Sequence, residues 1–319
     1  MNTAADEPVT ACAACGARLM GRYCHACGQD VEARPRPLRQ MAYEAFSESS
    51  LIDDQGVRTL VALVTRPSRI LIAYRAGAGS LYASPIKIFV VVTALFLAVL
   101  GLGDVVIYQY VRAVEPGAQV TATPDPDGVT VHVSGATERD NWMQRRVEPA
   151  VDPRIHAAME AAAARATTEV DRQNLLYEIQ SDREQEIISD RIIGWLPNAL
   201  WLMTPLFALL LAPLFGRRRL FMEHLVFAMW AHVMAFSLLM LLALANWLGA
   251  NLPAWPLIVP YMAYFIRAAA RYYDMSYVSA AWRSALHAVL YVCLVLIPAL
   301  LVLAVSALDW AALEAFLAA

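Results

Sequence analysis

Four of the five cysteines fall into two pairs, Cys12-x2-Cys15 and Cys24-x2-Cys27, with eight residues between the pairs. Thiolates at this spacing converge on a single tetrahedral ion, and a four-cysteine donor set is typical of structural zinc. Iron held as in rubredoxin is the competing metal, and two disulfides are the metal-free alternative, which a reducing cytoplasm disfavours. Gly16 and Gly28 each follow the second cysteine of a pair, where a residue without Cβ lets the chain turn tightly around an ion. Four cysteines leave no open coordination position, so the expectation is one structural Zn2+ per chain, not a catalytic one. A head of this size, residues 1–37, cannot bury enough apolar surface to fold alone, and zinc contributes roughly 10–16 kcal/mol in comparable modules. Residues 1–40 carry five arginines against Asp6, Glu7, Asp30 and Glu32, a net of +1, too small a footprint for nucleic-acid binding. The fifth cysteine, Cys293, stands among Val292, Leu294 and Val295 and reads as a small apolar helix residue.

The rest of the chain must hold this head, and its composition says in what solvent. Of 319 residues, 59% are hydrophobic and 17% charged, and the mean hydropathy is +0.47. Disorder and most soluble folds are excluded. The apolar residues are gathered into charge-free runs of 25 residues at 192–216, 42 at 225–266, 25 at 284–308 and 16 at 88–103. A spanning helix needs roughly 20 such residues, so the run at 225–266 reads as two spans parted by Gly249, Asn251, Pro253 and Pro256. Five transmembrane helices are expected, at 86–107, 192–216, 222–248, 253–273 and 284–308. Val105 to Ile107 extend the first of these past Asp104. Arginine and lysine flank the ends that this count places on the head's side: Arg69, Arg75, Lys87, Arg217 to Arg219, Arg271 and Arg283. The expectation is therefore a cytoplasmic N-terminus and an extracytoplasmic C-terminus. No positively charged stretch with an apolar core precedes Cys12, so no cleavable signal peptide is expected.

Between head and spans, residues 38–85 are too charged to cross. Val57, Leu60, Val61 and Val64 nevertheless recur at helical spacing and form one apolar stripe. Such a helix either lies on the inner leaflet or packs on the spans. Pro67 suits the first turn of a second helix through Ile70, Leu71 and Tyr74. On these residues the chain resembles the bacterial membrane family catalogued as domain of unknown function 3667. The features in common are Cys27-Gly28-Gln29, Arg66-Pro67, Tyr74-Arg75-x-Gly77 and Tyr82-x2-Pro85-x-Lys87, together with Glu223-His224-Leu225-Val226-Phe227-Ala228 and His232. The resemblance implies a zinc-ribbon-like membrane protein and brings no activity, substrate or catalytic residue.

Residues 108–191 form the largest loop; from 104 to 192 the chain holds 16 acidic residues and 9 arginines, a net of −7. Alternation at 119–121 and 129–133 around Pro124-Asp125-Pro126-Asp127-Gly128 predicts a hairpin. Asp152 as cap with Pro153 at the first helical position predicts a helix start. A charged helical stretch follows, in which Leu175, Leu176, Ile179, Ile187 and Ile188 could pack or lead into the second span. His132 and His156 read as solvated. The fold class is thus an all-α polytopic membrane protein with a small zinc-ribbon head and a small α+β extracytoplasmic region.

Ionisable groups at membrane depth are costly and count as functional candidates. Glu223 and His224 open the third span, His232 lies two turns deeper, and Arg267 near the end of the fourth could answer Glu223. These four could border one polar cleft. No HExxH, Walker loop, GxSxG or intramembrane aspartate pair occurs, so no enzyme is expected. Two functions follow: a zinc-stapled scaffold or sensor that docks a cytoplasmic protein partner at the lipid bilayer, or a transporter of a small solute, proton or metal ion through the Glu223/His224/His232/Arg267 cleft. A homo-oligomer is compatible with either.

Overall fold

The computed structural model describes residues 11–12, 16–26, 28, 30, 54–75, 82–115, 117, 120–125, 128–133, 136–166, 168–216 and 219–307. The chain divides into two compact units. Helices long and apolar enough to cross a membrane occur at Ile192–Phe215, Phe221–Trp247 and Tyr277–Val302, and a shorter apolar helix at Pro85–Gly101. The protein is therefore mostly helical, with three candidate membrane-spanning helices among the described residues.

The first unit holds the cysteine head and residues up to Phe96, then 200–238 and 257–295. Helices α1 (Asp54–Thr65) and α2 (Pro67–Arg75) lead to α3 (Pro85–Gly101). Pro67 occupies the first position of α2, where its missing N–H costs nothing. In α1 the buried face is centred on Thr59 and Leu63, whereas the stripe foreseen from periodicity points outward: Val57 is 53% exposed, Val61 58% and Val64 63%. Thr59 is fully buried; its hydroxyl donates to Gln55 O at 2.6 Å and accepts from Ala83 N at 2.9 Å, two residues before α3 begins. The unit's core is aromatic, with Phe96 stacked on Phe236 at 4.8 Å and Phe207 edge-on to Phe265 at 6.0 Å.

The expected fourth span is shorter than its charge-free run. A single 3-10 turn, Trp255–Leu257, follows Pro253, and only then does helix α7 (Ile258–Tyr272, 15 residues) begin. The next helix, α8 (Tyr277–Tyr291), starts earlier than expected because Ser276 caps it, accepting from Ser279 N at 3.2 Å. It continues through a π-turn at Val292–Leu296 into α9 (Ile297–Ala307). Pro298 has no N–H to give the preceding turn, and the wider π-turn just before it accommodates the ring.

The second unit comprises 97–199, 239–256 and 296–319. Its antiparallel pair β1 (Val105–Val114) and β4 (Ala136–Arg145) runs in register from Val105 opposite Arg145 to Val114 opposite Ala136. This corrects the first expected span: α3 stops at Gly101, Asp104 takes φ +52, and Val105 to Ile107 enter a strand. Their β-branched side chains suit it. The foreseen hairpin forms as β2 (Val120–Asp125) and β3 (Gly128–Val133), with Thr121 opposite His132. Helix α4 (Pro153–Arg165) is capped by Asp152, whose carboxylate accepts from Arg154 N at 2.9 Å. The charged stretch and the second span are one helix, α5 (Glu169–Phe215). Leu175 and Ile179 of α5 bury against Ile155, Met159 and Ala162 of α4, while Leu176 and Ile187 stay exposed. Helix α6 (Phe221–Trp247) ends in a turn fixed by buried Asn246, whose amide donates to Trp142 O at 2.7 Å and Leu252 O at 3.0 Å and accepts from Leu252 N at 2.6 Å.

Candidate functional site

The described residues around Cys12 and Cys24 take the same form. Gly16 N donates to Cys12 O and Gly28 N to Cys24 O, each at 2.8 Å, and both glycines take positive φ, +80 and +72. Ala11 bridges antiparallel to Arg18, and Tyr23 bridges to Asp30, so each turn is closed seven residues on by the same pairing. The positive φ is what the sequence required of these glycines, since side chains with Cβ rarely adopt it. Arg22 clasps the second turn through Asp30 at 3.1 Å.

The repeat delivers Cys12 and Cys24 to one place. Both are buried, in one cluster with Ala73 of α2, and Ala17, Leu19 and Tyr82 pack around them. Buried thiols drawn together by two like turns fit a thiolate metal site, in which metal would neutralise charge that burial otherwise penalises. Cys15 and Cys27, the other two expected ligands, lie outside the described residues. Among those described, no group of three or more potential ligands forms by itself.

The four candidates in the spans have different surroundings: His224 and His232 are buried and Arg267 is not. Arg267 is exposed on α7. Among the described residues Glu223 pairs with Arg219, one turn earlier at 3.4 Å, and Arg219 also reaches Asp274 at 3.4 Å. Helical spacing had put Arg267 at the right depth without fixing which way it faces. His224 is fully buried, with Nδ1 hydrogen-bonded to the Tyr273 hydroxyl at 2.8 Å and Nε2 3.3 Å from Gly216 O. A neutral ring donating from Nε2 and accepting at Nδ1 satisfies both. It thereby closes a carbonyl just past the end of α5, and Arg283 donates to Leu214 O in the last turn of α5 at 2.6 Å. Carbonyls at a helix C-terminus lack intrahelical donors, and a cation there complements the dipole.

His232 sits in an aromatic cage. Its Nδ1–H donates to Ala228 O at 2.8 Å, and Phe207, Phe236 and Phe89 surround the ring at 5.1, 5.9 and 6.3 Å. His287, on α8, was not singled out from sequence; its Nε2–H donates to Phe207 O at 3.1 Å and its ring lies 4.3 Å from Phe207. A histidine inside a charge-free run was the available signal. These contacts are those of helix packing, in which polar side chains join neighbouring helices.

His156 is not freely solvated. Its Nε2 lies 3.1 Å from Asp182 Oδ2, beside Arg112, which pairs with Glu178 at 2.9 Å and Glu138 at 3.4 Å. Burial, reinforced by a hydrogen bond to Glu138, pushes the nearby Tyr110 phenol up to about 12. The strong bond to Arg154 holds the Asp152 carboxyl below its ordinary value. His132 has its backbone in β3, and its side chain lies outside the description.

No curated protein and no solved structure matches the chain. Residues 57–97 do match a family model. That stretch begins at the outward stripe of α1, contains Ala73 and Tyr82 against the cysteines, and ends within α3; the family it matches is the one described as protein of unknown function DUF3667.

Proposed function

We propose that this is a non-enzymatic bacterial inner-membrane protein whose zinc-stapled head docks a cytoplasmic protein partner at the membrane. Cys12, Cys15, Cys24 and Cys27 would hold one Zn2+, whose chemistry is to fix the chain by charge and geometry. The observation that carries the reading is the burial of Cys12 and Cys24 together against Ala73 and Tyr82. A head ordered on its metal would thereby be seated on the segment leading into α3.

The outward stripe of α1 supports attachment to the bilayer. A helix that buries a threonine and exposes three valines and Leu60 is inverted for water but suited to lipid on its outer side. The exposed Arg58, Arg66 and Arg69 suit anionic headgroups. In this reading α3 and α7 complete five crossings, with the N-terminus cytoplasmic and the C-terminus extracytoplasmic.

The test is crosslinking from the cytoplasmic face with the intact protein and with Cys15→Ser. A partner captured only by the metal-loaded head supports docking. Capture that is indifferent to the substitution refutes it.

A further inference from the structure

At the end of α6, the last turn of α3 and the first residue of β1 border an open cleft of about 420 Å3. Its walls are apolar, formed chiefly by Val99, Leu102, Met240 and Leu244, with Trp247 and Arg145 also lining it. The volume falls within the roughly 300–1,000 Å3 of small-molecule sites. Trp247 is exposed at the end of a spanning helix, where amphipathic rings mark the membrane interface.

Arg145 gives the cleft its chemistry. It closes β4 opposite Val105, and its neighbour Arg146 is held by Asp104 at 3.4 Å and Glu148 at 3.8 Å. Successive side chains along an extended chain point to opposite sides, so one arginine meets the carboxylates and the other the apolar cleft. No carboxylate among the described residues pairs with Arg145, as with Arg139 and Arg165, whereas Arg112, Arg154, Arg172 and Arg183 of the same unit each hold at least one; of the three, Arg145 is the one that lines the cleft. Arg145 is exposed, so its guanidinium at the rim of an apolar cleft is free to meet an anion, and its planar fork matches phosphate oxygens.

We propose that this cleft binds one anionic phospholipid, with the phosphate on Arg145 and an acyl chain along Val99, Leu102, Met240 and Leu244. The proposal rests on α3 and α6 lying in lipid and is independent of the zinc head. Free phosphate would use only the arginine; the apolar walls require the chain.

The test is native mass spectrometry of the full-length protein in mild detergent, titrated with phosphatidylglycerol or phosphatidylcholine of equal chain length. The expected result is one retained phosphatidylglycerol, preferred about tenfold over phosphatidylcholine. Arg145→Gln should erase the preference, Arg145→Lys should restore part of it, and Leu244→Trp should reduce retention of the lipid itself. Arg165→Gln, an exposed control, should change nothing. Equal retention of both lipids by the native protein, the mark of an unselective lipid annulus, overturns the proposal. So does a preference that survives Arg145→Gln in a variant with unchanged helical circular dichroism, or displacement of the lipid by glycerol phosphate alone.

Discussion

The Thr59 hydroxyl accepts the backbone N–H of Ala83 at 2.9 Å, tying the inner face of α1 to the residues that open α3. Both groups are buried, and the hydroxyl's own proton is engaged by Gln55 O. Thr59→Val keeps the shape but orphans the Ala83 donor. An unsatisfied buried group costs about 1–3 kcal/mol, so the variant should lower the unfolding midpoint in detergent, while Thr59→Ser should recover most of the loss. A thermal melt of the three proteins checks it.

The stripe on α1 gives a second expectation. Val61→Asp places a charge on an exposed position, where a water-facing helix would tolerate it within about 0.5 kcal/mol. If the stripe lies on the bilayer, the substitution should leave folding intact but raise labelling of a cysteine introduced at Val57 by a water-soluble thiol reagent. Equal labelling in both backgrounds would show that this face already meets water.

The polar residues of the spans are read as packing groups. His232→Ala empties part of the cage made by Phe89, Phe207 and Phe236 and should cost about 2–4 kcal/mol. Arg267→Gln, at an exposed position, should stay within about 0.5 kcal/mol. Neither should alter proton or metal flux in proteoliposomes. A flux that depends on His232 would favour the transporter.

Asp152 links the loop region to pH. Its carboxyl is held below the ordinary value chiefly by the hydrogen bond from Arg154, so its charged form is favoured in the folded state. The contribution is fully present above the unfolded carboxyl value of about 3.9 and is lost as pH falls through the lower folded value. Asp152→Asn keeps a capping oxygen and removes the charge. Melting midpoints of the two proteins should therefore differ at pH 7 and converge as pH is lowered below about 4. Asp152→Ala, which removes the cap as well, should cost about 1 kcal/mol more than Asp152→Asn at neutral pH.

Local chemistry was readable from sequence and distant pairing was not. Asp152 with Pro153 announced α4, and the turn residues between Val120 and Val133 announced a hairpin, because cap and turn are settled by neighbours in the chain. Val105 to Ile107 looked like more of an apolar span, since Arg145 and Gln144, the partners of Val105 and Val106, are 40 and 38 residues away. The stripe of α1 was visible in its periodicity, but periodicity does not say whether lipid or protein covers a face. Glu223 and Arg267 shared a depth by helical rise, yet only the structure gives Glu223 its real neighbour, Arg219. The like form of the two cysteine turns was legible in Gly16 and Gly28. Their joint seat on Ala73 was not.

The central claim is tested most directly by the metal content of the purified full-length protein. One zinc per chain, lost on Cys12→Ser or Cys24→Ser together with the protection of Ala73 and Tyr82 from hydrogen exchange, is the predicted result. Protein that holds no stoichiometric zinc, or whose four head cysteines are recovered as disulfides from the cytoplasm, would contradict it.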